Sequence, residues 1–154
     1  MLLKRRAPAH PPIVERHNQP IIIFLTVCTA GRKPVLANVV ATQLLRNAWT
    51  MDDEWTVGRY VIMPDHIHLF CAPAGLGACS LVKWISYWKF LVSKQWPQRT
   101  DLPLWQRDHW DRQLRQQDSY GDKWEYVRLN PVRHGLVKRP GDWSYQGEMN
   151  VLMW

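Results

Sequence analysis

The chain has 154 residues, 46% of them hydrophobic and 21% charged, which is the size of one ordinary domain and too apolar for wholesale disorder. Twenty Lys and Arg against thirteen Asp and Glu leave a formal charge of +7, which suits a polyanionic partner, nucleic acid being the commonest. Three cysteines without a CxxC spacing argue against a disulfide framework or a thiolate zinc site, and no apolar run reaches signal-peptide or bilayer length, so a soluble, cytoplasmic protein is expected.

Residues 1–19 carry Pro8, Pro11 and Pro12 among scattered basic residues and are expected to form a flexible or extended arm ahead of a single domain over 20–154. The β-branched run IIIFLTVC (21–28) predicts a buried strand containing Cys28. In 35–50 the residues Val40, Leu44, Leu45 and Ala48 fall at helical spacing. WTVGRYVIM (55–63) and HIHLFCA (66–72) are separated only by Pro64-Asp65, so they predict two strands paired as a hairpin. A helix opened by Cys79 or Ser80 and running to about residue 96 has Leu81, Trp84, Ile85, Trp88, Leu91 and Val92 as its apolar stripe. LWQRDHWDRQLR (104–115) is read as a fourth strand from its place in the order. Residues 118–129 predict a short helix ended by Asn130-Pro131, and the rest reads as an irregular tail. The resulting order β-α-β-β-α-β-α is an α+β, ferredoxin-like split βαβ with a terminal helix: a four-stranded antiparallel sheet with helices packed on one face. Most of the ten tryptophans are expected to fill that core, although Trp also stacks on single-stranded bases.

Two patterns carry chemistry. His66 and His68 flank Ile67 in a strand, so both imidazoles project from one face and can share a divalent ion. An HxH pair is common by chance, and His10, His17, His109 and His134 show that histidine is not scarce here. Tyr126 and Asn130 are four apart in a predicted helix and so lie one turn apart on one face. An amide oxygen can complete a metal site while the phenol is aimed at a substrate held by the same ion. Alone, this pair reads equally as a packed tyrosine and a helix stop. Together the four residues suit in-line attack of a tyrosine on a phosphodiester. A tyrosine needs help at neutral pH because its free pKa is about 10.

YVIMPDHIHLF (60–70), LWQRDHWDRQLR (104–115) and WEYVRLNPVRHGLV (124–137) together resemble the REP-associated tyrosine transposases, members of the HUH single-tyrosine transposases of bacterial insertion sequences. The resemblance spans roughly residues 20–145, and the joint occurrence in order of MPDHIH and the Tyr126–NPVRHG block is its specific part. It implies a ferredoxin-like fold, His66 and His68 as ligands of Mg²⁺ or Mn²⁺, Asn130 in the place of a third, helix-borne ligand, and Tyr126 as the residue that forms a 5′-phosphotyrosine with single-stranded DNA. It further implies that short palindromic repeats folded as hairpins are the target; a monomer or homodimer is expected. Tyr120 is the rival nucleophile, but Trp124 stands where its Asn partner would be. Gly121 within the helix weakens it by up to about 1 kcal/mol relative to Ala. The tail is short, so DNA contacts made by longer tails in relatives are expected to be missing.

Lys83, Tyr87 and Lys94, off the apolar stripe of the long helix, and the arm residues Lys4, Arg5 and Arg6 are the candidates for phosphate or base contact. Two other functions fit parts of this pattern. One is a non-catalytic single-strand nucleic-acid-binding module, and the other is a metal phosphodiesterase that uses water as nucleophile.

Overall fold

The computed structural model describes Pro8, His10 and residues 21–115 and 119–153. The arm candidates Lys4, Arg5 and Arg6 lie outside the described residues. Five strands form one antiparallel sheet: β1 (Ile23–Cys28), β2 (Trp55–Ile62), β3 (His66–Pro73), β4 (Trp110–Gln113) and β5 (Gln146–Glu148), in the order β4-β1-β3-β2-β5. The first four strands have the ferredoxin-like arrangement, and the strand bearing His66 and His68 is the middle one. The tail, expected to be irregular, supplies β5, which pairs with β2 from Arg59 to Val61.

Helices α1 (Val39–Trp49) and α2 (Leu81–Gln95) cover one face. Each begins at a side chain that accepts a helix N–H: Asn38 from Ala41, and Ser80 from Lys83, which satisfies otherwise orphaned donors. The buried stripe of α1 is Ala41, Leu45, Ala48 and Trp49. Val40, expected in that stripe, is exposed and Leu44 only partly buried, because the helix docks through the neighbouring face that carries Ala41 and Trp49. The α2 stripe is the expected one except that Leu91 is only partly buried. Trp49, Trp55, Trp84, Trp88 and Trp96 are all buried on this side, with edge-on packing of Trp88 against Trp49, Trp84 and Trp105. Among the described residues no helix is long and apolar enough to cross a membrane.

The terminal helix lies on the other face of the sheet. This helix, α3 (Tyr120–Arg128), is capped by Ser119 and packs Tyr120, Trp124 and Val127 against Ile22, Phe70 and Leu114. Gly121 sits in its first turn without delaying it. Asn130-Pro131 interrupts the helix but does not end it, since α4 (Asn130–Arg133) follows directly. Pro131 lacks the N–H that would continue the ladder, yet proline suits the first turn of a new helix. The fourth strand is only four residues long, not 104–115. Its earlier part touches the sheet through a single bridge, Thr29 to Trp105.

In β2 the inward positions change parity. Trp55 and Val57 face α1 and α2, and so do Tyr60 and Ile62. A bulge between Val57 and Tyr60 absorbs the extra residue. Gly58 lies in it because there is no room for a side chain: a Cβ would fall 2.6 Å from Leu152 Cδ1 and 2.8 Å from the Tyr120 hydroxyl. Gly58→Ala should therefore destabilise the fold by about 1–3 kcal/mol. The urea midpoint measures this, and an unchanged midpoint would mean that α3 and the tail do not press on the bulge.

Candidate active site

Strand alternation places Phe24, Thr26, His66, His68 and Phe70 on the sheet face that carries α3. The two site histidines have ring centroids 4.7 Å apart. His66 is buried, and its Nδ1–H donates to Asp65 at 2.7 Å. Asp65 also accepts from Arg32 Nε at 2.9 Å. His68 Nδ1 is hydrogen-bonded to Thr26 Oγ1 at 2.9 Å, and its ring stacks on Phe24. With each Nδ1 so occupied, the Nε2 atoms are the nitrogens left to a ligand. A carboxylate behind a histidine fixes its tautomer and ring orientation, as at metal-binding histidines generally. Burial of Asp65 raises its carboxyl, but the bonds from Arg32 and His66 outweigh this and hold it below the usual range. Burial lowers His66, and lowers His68 to about 3 with help from the charges of His66, His134 and Arg32. Both rings are thus neutral at pH 7, the form that ligates a cation. The donor set of two neutral imidazoles with an amide oxygen nearby fits a divalent metal.

Between β1, β4 and α3 lies a cavity of about 470 Å³ whose walls include Phe24, Thr26, His68, Trp110, Arg112, Lys123, Tyr126 and Asn130. The structure thus brings three of the four residues singled out for chemistry to one cavity, with His66 beside His68. Tyr126 is 66% exposed. Arg133 links it to Asn130: its guanidinium carbon lies 3.9 Å from the Tyr126 ring centroid, and its NH1 donates to Asn130 Oδ1 at 2.8 Å. That oxygen has a second lone pair for a further partner. Tyr120 is placed quite differently. It is buried against Phe70, and its hydroxyl accepts the backbone N–H of Arg59 at 3.1 Å. Burial raises its phenol despite that bond.

Lys83, Tyr87 and Lys94 are exposed on α2, across the sheet from the cavity. Sequence reasoning passed over four residues at or beside the site. Trp110 and Arg112 alternate in β4, so both face the cavity, a pattern hidden while the strand was drawn over twelve residues. Lys123 precedes Tyr126 by one turn. His134 lies one turn beyond Asn130, donates Nδ1–H to the Asn130 carbonyl at 2.9 Å, and places its ring 6.4 Å from His66. The helical spacing 123, 126, 130, 134 is the signal that would have found the last two.

No family model matches the chain. It is 29% identical over 127 residues to the REP-associated tyrosine transposase of Escherichia coli K12, covering 79% of this chain and 73% of that protein. The chain is thus similar to the REP-associated tyrosine transposases. A Haemophilus influenzae protein of like description is 28% identical over 95 residues, 54% of this chain and 53% of its own length. Among solved structures, a REP-associated tyrosine transposase bound to a REP hairpin superposes with a TM-score of 0.68 at 21% identity, over 89% of this chain and 82% of that one. A transposase-like protein from Deinococcus radiodurans gives 0.53 at 17% identity, over 76% and 95%. At these identities the structural matches speak for the shared fold.

Proposed function

We propose that this chain is a metal-dependent transposase and endonuclease of single-stranded DNA that acts at palindromic hairpins through a covalent 5′-phosphotyrosine on Tyr126. The observation that carries this reading is the shared cavity. An exposed phenol, an amide oxygen and a neutral histidine line the same walls, and both site histidines have their Nδ1 atoms tied back, leaving Nε2 to a ligand. The transposase relatives and the solved relative's hairpin partner support the same class of substrate.

His66 and His68, with Asn130, would hold Mg²⁺ or Mn²⁺. When bound, such an ion polarises a phosphate and offsets charge developing on it. The chain's own part is to deliver the nucleophile. The Tyr126 oxygen attacks phosphorus, giving up its proton to solvent. The bond from phosphorus to the 3′-oxygen breaks, and that oxygen takes up a proton as it leaves. Attack by another 3′-hydroxyl on the phosphotyrosine reverses the step and rejoins strands without an external energy source. Arg133, stacked on the Tyr126 ring, restricts the phenol to the cavity side. Arg112 and Lys123 supply positive charge for the backbone, and Trp110, 44% exposed, offers a stacking face for a base. Lys83, Tyr87 and Lys94, on the far side of the sheet, suit contact with more distant parts of a hairpin. Binding through these cations should weaken steeply with salt.

The deciding experiment incubates the protein with single-stranded DNA from beside its own gene and Mn²⁺. A cleaved strand covalently attached to Tyr126 is expected; cleavage without any adduct would assign the nucleophile to water. The support behind His66 makes a separate prediction. Asp65→Asn should weaken Mn²⁺ binding about 10- to 100-fold, measured by titration calorimetry. Unchanged affinity would mean that His66 does not depend on Asp65 for its orientation.

A further inference from the structure

A second cluster of metal-ligating side chains lies on the opposite side of β4. His109 immediately precedes the strand and Asp111 lies within it, and the register Leu25 to Asp111 turns both away from Trp110 and Arg112. His10, 101 residues before Asp111, meets them there. Its Nδ1 is 2.5 Å from Asp111 Oδ1, and its ring stacks on His109 with centroids 4.3 Å apart. One nitrogen from each histidine and one carboxylate oxygen lie within 4.8 Å of one another, the one such group among the described residues.

The second observation is an orphaned atom. His109 is 5% exposed, and its Nε2 is buried without a hydrogen-bond partner. A buried polar atom of this kind is costly unless something engages it. Asp111 Oδ1 is 3.6 Å away, too far for a hydrogen bond. That separation suits two ligands of one ion, since bonds of about 2.0–2.2 Å in a tetrahedral shell put neighbouring donors roughly 3.3–3.6 Å apart; the His10–Asp111 pair, hydrogen-bonded at 2.5 Å, has to open for the ion to enter.

We propose that His10, His109 and Asp111 form a second, structural metal site of Zn²⁺ type, which clips the N-terminal segment to the edge strand β4. Two imidazoles and one carboxylate are a zinc-like donor set. The edge strand is where such a clip has a purpose. Among the described residues β4 is the outermost strand of the sheet, and sheet edges are usually covered or blunted. The ion closes a loop of about a hundred residues at a strand that also forms one wall of the Tyr126 cavity.

The test uses the full chain carrying His66→Ala and His68→Ala, so that the cavity site is silent, and measures Zn²⁺ binding by equilibrium dialysis. One saturable equivalent is expected. His10→Ala in that background should weaken it at least tenfold and abolish the rise in Tm that Zn²⁺ causes. His10 is one-third exposed, so its removal does not open the core even if His109→Ala fails to fold. In the unsubstituted chain the same change should remove one of two equivalents. No saturable binding in the double variant, or binding that His10→Ala leaves unchanged, overturns the site. Either outcome leaves the reading of the Tyr126 cavity untouched.

Discussion

Tyr126→Phe is expected to abolish strand cleavage and the covalent adduct while leaving fold, metal binding and DNA affinity intact. The substitution removes one oxygen from a ring that is 66% exposed, so the change in stability should stay within about 0.5 kcal/mol. Loss of a nucleophile should cost at least about 10³-fold in rate. Tyr120→Phe provides the contrast. Its hydroxyl accepts the Arg59 N–H beside the β2 bulge, and deleting it leaves that donor unsatisfied at a cost of about 1–3 kcal/mol. This variant should be less stable yet still cleave. A gel assay for protein–DNA adducts and a urea titration separate the two. If Tyr120→Phe is the dead variant and Tyr126→Phe the active one, the nucleophile has been assigned to the wrong tyrosine. If the double variant still cleaves, water attacks and the transposase reading fails.

His68→Ala is expected to remove Mn²⁺-supported cleavage, with a loss of well over 100-fold. A missing ligand costs more than the 10- to 100-fold typical of its supporting partners. His66→Ala should do the same, but the structure separates their effects on stability. The His66 ring is buried and bonded to Asp65, so its removal also leaves part of the Arg32–Asp65–His66 chain unpaired. The His68 ring faces the cavity. His66→Ala should therefore lower Tm by a few degrees more than His68→Ala. Calorimetry with Mn²⁺ checks the metal and thermal unfolding checks the fold. Variants that cleave normally in the presence of EDTA would rule out a metal role for the pair. Variants that simply unfold would make the histidines structural.

Much of this molecule was determined by the sequence alone. Strand alternation obliges His66 and His68 to share a face, and helical periodicity obliges Tyr126 and Asn130 to share another. The run Leu81 to Val92 specifies the core side of α2, and the order of elements specifies the sheet. These are local consequences of two periods, 2 and 3.6, and they hold whatever surrounds them. The tertiary structure decided what no period encodes. Tyr120 and Tyr126 differ little as letters in one helix. Packing against Phe70 and the bulge at Gly58 buries one, and the open side of the same helix exposes the other. Placement of α3 across the sheet from α1 and α2 brought His68, Tyr126 and Asn130 into the walls of one cavity, because Phe24, Phe70 and Val61 leave an apolar patch there for Tyr120, Trp124 and Val127 to cover. The short β4 turns Trp110 and Arg112 inward by an alternation visible only once its ends are known. His10 meets His109 and Asp111 through long-range side-chain contacts alone, since nothing in the residues near it foretells a partner 101 positions away.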